Sequence, residues 1–339
     1  MADSAALAGI AGIPRRPDAY AALDLGTNNC RLLVGAPSGP GFRVVDSFSR
    51  IVRLGEGLAA TGRLSTAAMD RTLEALQACR ARLARRPVRR VRAVATEACR
   101  RAANGADFIT RIRNETGLPF EIIAPREEAE LAMESCAPLL DIAGRRALLF
   151  DIGGGSTELA WIRLGPGGAH DLIGCDSLPV GVVTLAERFG PAGHTPAGFD
   201  AMTAEVAAQL SRFEAIHRIG DEIGHGGVRM IGTSGTVTTL AGIALALPRY
   251  RRPLVDGQTL SLARTDAALA DICAMSREDL ARHPCVGPER AEFVLPGCAI
   301  YAAIRALWPV PELTVADRGL REGMLVRMIQ TDRARRARR

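Results

Sequence analysis

From Tyr20 the chain falls into short apolar runs separated by turn-forming residues. AALDLG reads as one apolar strand and CRLLVGA as a second, and the GTNN between them is hairpin chemistry. RVVDSFSRIVRLG continues as a third strand. The period then changes: Met69, Leu73, Leu76 and Leu83 share one side at helical spacing, which predicts a helix from about Ser65 to Ala84 with Ser65 as its N-cap. Next come a strand VRAVATEA at 91–98, a helix from about Ala106 to Thr116 closed by Gly117 and Pro119, a strand FEIIA, and a helix beginning near Arg126. This alternation is that of a mixed α/β protein.

At Arg146 the opening theme returns. ALLFDIGGGSTELAWIR repeats YAALDLGTNNCRLLVGA in its order of apolar strand, Asp-apolar-Gly turn and second apolar strand, with an offset of 127 residues between Asp24 and Asp151 (151 − 24). That is the length of one domain, so two similar halves are expected to face each other across a cleft. The second half runs on through a helix at about 196–219, a strand VRMIG at 228–232, the turn GTSGTVTTLAG opening into a helix, helices between about 265 and 308, and a strand LTVAD at 313–317. The expected units are a flexible leader at 1–17, halves at 18–126 and 127–318, a terminal helix at 319–332 near the junction, and a solvated basic tail at 333–339.

Composition narrows the chemistry. With 339 residues, 47% of them hydrophobic and 24% charged, the chain is of ordinary globular type. The longest nearly uncharged apolar run, Thr236 to Pro248, is shorter than the roughly 20 residues of a membrane span, and no signal peptide opens the sequence. A cytoplasmic protein with no membrane partner is therefore expected. Eight cysteines without CxxC or Cys/His spacing argue against disulfides and structural zinc, and read as small buried apolar residues. All 43 basic residues are arginine, which excludes a Walker-A lysine, a Schiff-base lysine and a pyridoxal-phosphate anchor. The net charge of +6 suits a polyanion, but with only 4% aromatics a nucleic-acid stacking platform is disfavoured.

Three loops could hold phosphate. In DLGTNN, Asp24 precedes Gly26, expected at φ > 0, and Thr27, Asn28 and Asn29 add short donors, although an ordinary hairpin turn accounts for the same residues. In DIGGGSTE, the three glycines Gly153, Gly154 and Gly155 beside Ser156 are easier to explain if backbone amides approach a ligand closely. In IGTSGTVTTLAG, Gly232, Ser234 and Gly235 lead into an apolar helix whose N-terminus favours phosphate. Asp24, Asp151 and Glu158 are the hard oxygen ligands that Mg²⁺ prefers. Arg31 and Arg100-Arg101 are the nearby cations. Glu127-Glu128 opens a helix, where favourable interaction with the helix dipole alone would explain the pair. No GxSxG elbow is present, and the five histidines lack ligand spacing.

DLGTNNCRLLV, VATEACRRAANGADF, APREEAEL, FDIGGGSTEL, IGTSGTVTTLAG and VADRGLREGML, in that order, resemble the Ppx/GppA family of exopolyphosphatases and guanosine pentaphosphate phosphohydrolases. The similarity covers about residues 20–330. It implies two RNase H-like domains of the actin/Hsp70/sugar-kinase superfamily around a central cleft. By the same resemblance Asp24, Gly26, Thr27 and Asn28 form the first phosphate loop, and Gly153, Gly154, Gly155 and Ser156 the second. Asp151 and Glu158 lie at the Mg²⁺, Arg100 binds a phosphate, and Glu128 is the catalytic carboxylate that positions or deprotonates water. The implied partners are inorganic polyphosphate or guanosine penta- or tetraphosphate, with a homodimer admitted. The resemblance is to a short, two-domain form, expected to lack the C-terminal helical domains of longer members. Ser234 stands where relatives often carry glycine, which leaves nucleoside binding open, and a basic track for long chains would draw on Arg249, Arg251, Arg252 and Arg290. The readings left standing are Mg²⁺-dependent release of terminal phosphate from polyphosphate, removal of the 5′ γ-phosphate of pppGpp, or a nucleotide-binding kinase or sensor of the actin-like group.

Overall fold

Alternating apolar residues fold the first hairpin as expected: β1 (Tyr20–Leu25) and β2 (Asn29–Ser38) pair antiparallel with Asp24 opposite Arg31. The structure, a computed structural model, describes residues 18–140 and 144–338, so the expected leader lies outside it. β3 (Gly41–Ile51) ends short of the predicted Gly55, because the Val52 and Arg53 amides leave the ladder and donate to the Asn28 carbonyl at 2.8 and 3.1 Å. A short α1 (Leu58–Thr61) leads to α2 (Thr66–Arg85), whose Ser65 cap accepts from the Ala68 amide at 3.2 Å. β4 (Arg90–Ala95) runs parallel to β1. The strand predicted through Ala98 stops at Ala95, and the next residues form α3 (Glu97–Arg101), closed by the Arg100 amide on the Thr96 carbonyl at 3.0 Å. α4 (Gly105–Thr116), β5 (Phe120–Ile122) and α5 (Pro125–Leu140) complete the half, and the sheet order is β3-β2-β1-β4-β5.

The second half repeats the plan. β6 (Arg146–Ile152), β7 (Thr157–Leu164) and β8 (His170–Leu178) form the meander, followed by α6 (Val182–Phe189), α7 (Pro196–His217) and α8 (Ile219–Gly224). β9 (Val228–Thr233) leads into α9 (Gly235–Ala244). α10 (Arg252–Val255), β10 (Thr259–Ser261), α11 (Leu262–Ala274), α12 (Arg277–Arg282) and α13 (Ala291–Leu307) precede β11 (Glu312–Ala316) and α14 (Leu320–Ala337). The sheet order β10-β11-β9-β6-β7-β8 puts β6, β7, β8, β9 and β11 where β1 to β5 stand in the first sheet, with β10 added at the edge. Asp151 faces Glu158 across β6 and β7 just as Asp24 faces Arg31, and the offset is the same 127 residues (158 − 31). The chain is thus two α/β units of like topology, as the repeated hairpin predicts.

Each sheet is covered on both faces. Leu23 and Leu25 pack under Leu76 of α2 and Ile112 of α4, whereas Tyr20 and Ala22 on the other face lie under Met324, Met328 and Ile329 of α14. In the second sheet Leu148 and Phe150 pack with α7 and α13, and Ala147 and Leu149 lie under Ala132 and Cys136 of α5. α5 and α14 cross closely: a Cβ on Gly323 would sit 2.0 Å from the Leu131 carbonyl oxygen. Beside this crossing Arg327 of α14 lies 2.7 Å from Glu134, 3.6 Å from Glu127 and 3.8 Å from Glu130. The basic run is not a separate tail, since α14 continues to Ala337 and Arg333 donates to the carbonyls of Gly39 and Pro40. All eight cysteines are free, six of them buried. No helix among the described residues is long and apolar enough to cross a membrane.

Candidate active site

The site candidates gather where the parallel strands end, the usual place for ligands in open α/β sheets. β1, β4 and β5 deliver the loop after Asp24, Arg100 on α3 and Glu128 in the first turn of α5. β6, β9 and β11 deliver the loop after Asp151, the turn before α9 and the Arg318–Gly319 exit, with Asp151 and Ala316 both in register with Thr233.

The two glycine loops touch. A Cβ on Gly154 would lie 3.3 Å from the Cβ atoms of Thr27 and Asn28, and one on Gly155 only 2.4 Å from Thr27 Oγ1. Close approach of the opposite half, not backbone handedness, therefore requires these glycines. Gly26, Gly153, Gly154 and Gly155 all lie outside the left-handed region, which corrects the expectation for Gly26. Both loops dispose of their carbonyls in the same way. Thr27 O accepts from the Gly55 amide at 2.9 Å and Asn28 O from Val52 and Arg53; Gly153 O and Gly154 O accept from the first amides of α6 at 3.0 and 2.8 Å. The amides of Thr27, Asn28, Gly154 and Gly155 have no partner among the described residues. Unpaired amide donors gathered on two touching loops suit an oxyanion.

Carboxylates surround it. Glu158, 6% exposed, accepts from Ser156 Oγ at 2.5 Å and Ser177 Oγ at 3.0 Å through its Oε1. Ser156 thus spends its hydroxyl on Glu158 and not on a ligand. Burial pushes Glu158 up to about 7, and the Asp151 charge adds to this. Burial likewise pushes Asp151 up to about 6, opposed by Arg31 and reinforced by Asp24. Asp24 is raised by burial and held down by Arg31 and Arg321. Glu128 is raised well above the carboxylate range by burial first, then by Glu158 and Asp24, while Arg100 opposes the shift.

Such mutual destabilisation of anions suits a site completed by a cation. No group of three or more His, Cys, Asp or Glu among the described residues is arranged to cage a metal. Mg²⁺ is commonly held by only one or two carboxylates, with water and substrate phosphate filling its octahedron, so the donor set fits that ion.

Arg100 lies at 3.2 Å from Glu128 through Nη1, which also donates to the Ile123 carbonyl at 2.9 Å, and at 2.7 Å from Glu97 through Nη2. The guanidinium is committed to the protein and orients Glu128. Its neighbour Glu127 points elsewhere, to Arg92 at 2.5 Å and Arg327 at 3.6 Å, so the two glutamates separate into a cleft residue and a clasp residue.

The third loop divides. Gly232 lies inside β9, where a Cβ would meet the Phe150 ring at 2.6 Å, so packing accounts for it and it is removed from the cup. Ser234 adopts φ 108° and ψ 173°, a conformation that favours glycine, and its hydroxyl is shielded without a partner. Gly235 starts α9. Arg252, expected on a basic track, instead lies 3.6 Å from Asp317 and 3.5 Å from Glu322. Sequence pattern gives no distinctive sign of Ser177, Glu97 or Arg321 as residues of the site. Ser177 sits on β8, a half-buried strand with no clear alternation, and Arg321 lies in the first turn of α14, within VADRGLREGML.

Two α/β halves clasping paired amide loops and a ring of carboxylates define a phosphate-processing cleft. The sequence profile of the Ppx/GppA phosphatase family matches residues 34–332, and the chain belongs to that family, whose members are phosphatases acting on phosphoanhydride bonds. Among solved structures, the Ppx/GppA family member of Aquifex aeolicus is 28% identical, with 93% of this chain and 98% of that one covered at a TM-score of 0.76. An exopolyphosphatase-like protein is 26% identical over 91% and 97% of the two chains, with a TM-score of 0.82. An exopolyphosphatase from Cytophaga hutchinsonii shares the fold at 24% identity, 92% and 98% coverage and a TM-score of 0.81.

Proposed function

We propose that the protein is an exopolyphosphatase that removes the terminal phosphate of inorganic polyphosphate by in-line attack of water. The observation that carries the reading is Glu128, a carboxylate in the first turn of α5 with 14% of its side chain exposed, which pairs with Arg100 of the first half and feels the charge of Glu158 of the second. A buried glutamate with a raised pKa is a competent general base near neutral pH.

The terminal phosphoryl oxygens would accept from the free amides of Thr27, Asn28, Gly154 and Gly155. Glu128 accepts a proton from water as the new P–O bond forms. The bridging P–O bond breaks, and its electron pair leaves on the shortened chain. Arg100 keeps Glu128 oriented, and the close contact of the glycine loop with Thr27 holds the two amide sets together. Asp151 and Glu158 would hold Mg²⁺, which when bound neutralises charge on the phosphate oxygens. The relative at 26% identity is itself called exopolyphosphatase-like, which supports polyphosphate as substrate.

The test is phosphate release from long-chain polyphosphate, tripolyphosphate and pppGpp in parallel, with Mg²⁺ and with chelator. Mg²⁺-dependent release from polyphosphate is expected. Release from pppGpp alone would replace the substrate, and intact substrates under all metals would end the hydrolase reading.

A further inference from the structure

Tyr20 and Asp24 bracket β1, about 13 Å apart at the rise of an extended strand. α14 runs back along it: the charge of Arg321 near its start acts on Asp24, and Asp332 near its end accepts from the Tyr20 hydroxyl at 2.9 Å. At that far end lies a cavity of about 350 Å³ whose walls include Arg43, Arg89, Arg333 and Arg336, with Asp18 and Asp332 as the acids.

The charges there do not balance. Asp332 is already shared by Tyr20, by Arg89 Nε at 2.7 Å and by Arg90 at 3.2 Å. Arg89 Nη1 is shielded from solvent and has no partner, so one prong of the guanidinium is unspent. Arg333 is braced by the carbonyls of Pro40 at 3.2 Å and Gly39 at 2.8 Å, which fix it in the wall without a carboxylate to neutralise it. The side chains of Arg43 and Arg336 show neither ion pair nor hydrogen bond among the described residues. Guanidinium forks match phosphate oxygens, and the volume falls within the range of small-ligand sites.

We propose that this cavity is a second phosphate site, which takes the oxyanions of a condensed phosphate such as tripolyphosphate. A separate short oligomer and the distant part of a long chain offer the same chemistry, and the position at the opposite end of β1 favours a separate molecule. The site stands whether or not the glycine loops hydrolyse polyphosphate, because its test reads binding.

Calorimetric titration of the metal-free full chain with tripolyphosphate is expected to show two classes of site. The Arg43→Ala/Arg336→Ala double variant, altered only at exposed side chains, should weaken one class at least tenfold and leave the other. Its melting temperature without ligand, unchanged from wild type, would confirm that it folds. A wild-type isotherm whose classes are all retained in the variant, or full displacement by sulfate at equal ionic strength, would overturn the proposal; a single wild-type class that the variant loses would support it and count against the glycine loops as a metal-free phosphate site. Titration with long-chain polyphosphate is expected to saturate at two chains per protein. Saturation at one chain would overturn the separate-molecule assignment and give the site to the substrate's own far end.

Discussion

Arg100 stands between two carboxylates, its Nη1 3.2 Å from Glu128 and its Nη2 2.7 Å from Glu97. It opposes the burial and like charges that raise Glu128. In Arg100→Gln that opposition is gone, so Glu128 should hold its proton to higher pH. We expect kcat to fall by about two orders of magnitude and the acid limb of the pH–rate profile to move upward. An unchanged profile would mean that Arg100 does not govern Glu128.

The adjacent glutamates should behave oppositely. Glu128→Gln is expected to lower kcat by roughly 10²- to 10⁴-fold with tripolyphosphate binding retained. Glu127→Gln removes a partner of Arg92 and Arg327, and is expected to lower the melting temperature by a few degrees with kcat near wild type. If the two variants exchange phenotypes, the assignment is reversed.

Gly155→Ala places a methyl 2.4 Å from Thr27 Oγ1 and 3.1 Å from its Cγ2, which should force the loops apart. A loss of at least tenfold in kcat/KM is expected. Thr27→Ala removes both contacting atoms, so the double variant should recover part of the loss; additive losses in the double-mutant cycle would argue against direct contact.

Metal-free stability should depend on pH with a definite sign. Asp151 and Glu158 stand at about 6 and about 7 in the folded protein, above their values in an unfolded chain. The folded state therefore binds the extra protons; this contribution is complete at low pH and is lost as pH rises through those values. For Glu158 alone the loss is on the order of 3 kcal/mol. Thermal melts in chelator should fall between about pH 5 and about pH 8, and Mg²⁺ should raise the midpoint more at the higher pH. A midpoint that climbs over this range in chelator contradicts the charge crowding.

Much of this architecture was legible because it is local and repeated. The hairpin ending in Asp24 and the hairpin ending in Asp151 announced two halves, and the Ser65 cap and the Gly117 stop marked their helices. What stayed hidden depends on contacts between halves. Gly154 and Gly155 carry no mark that their neighbours are Thr27 and Asn28 of the other half. Ser177 becomes meaningful only when β8 pairs with β7 and brings it opposite Glu158. The pair Glu127-Glu128 could not be divided until α5 was rotated against α14, which turns one carboxylate to Arg327 and leaves the other at Arg100.

The crossing of α5 and α14 also sets an order of events during synthesis. α5 leaves the first sheet to cover the second, and α14 leaves the second to cover Tyr20, Ala22 and Leu33 of the first. A nascent chain emerging from the ribosome can pair β1 to β5 early, yet one face of that sheet stays bare until the last helix is released. The first sheet, made earlier, is therefore sealed only when α14 follows it, and truncation within α14 should expose a hydrophobic surface made some three hundred residues before it.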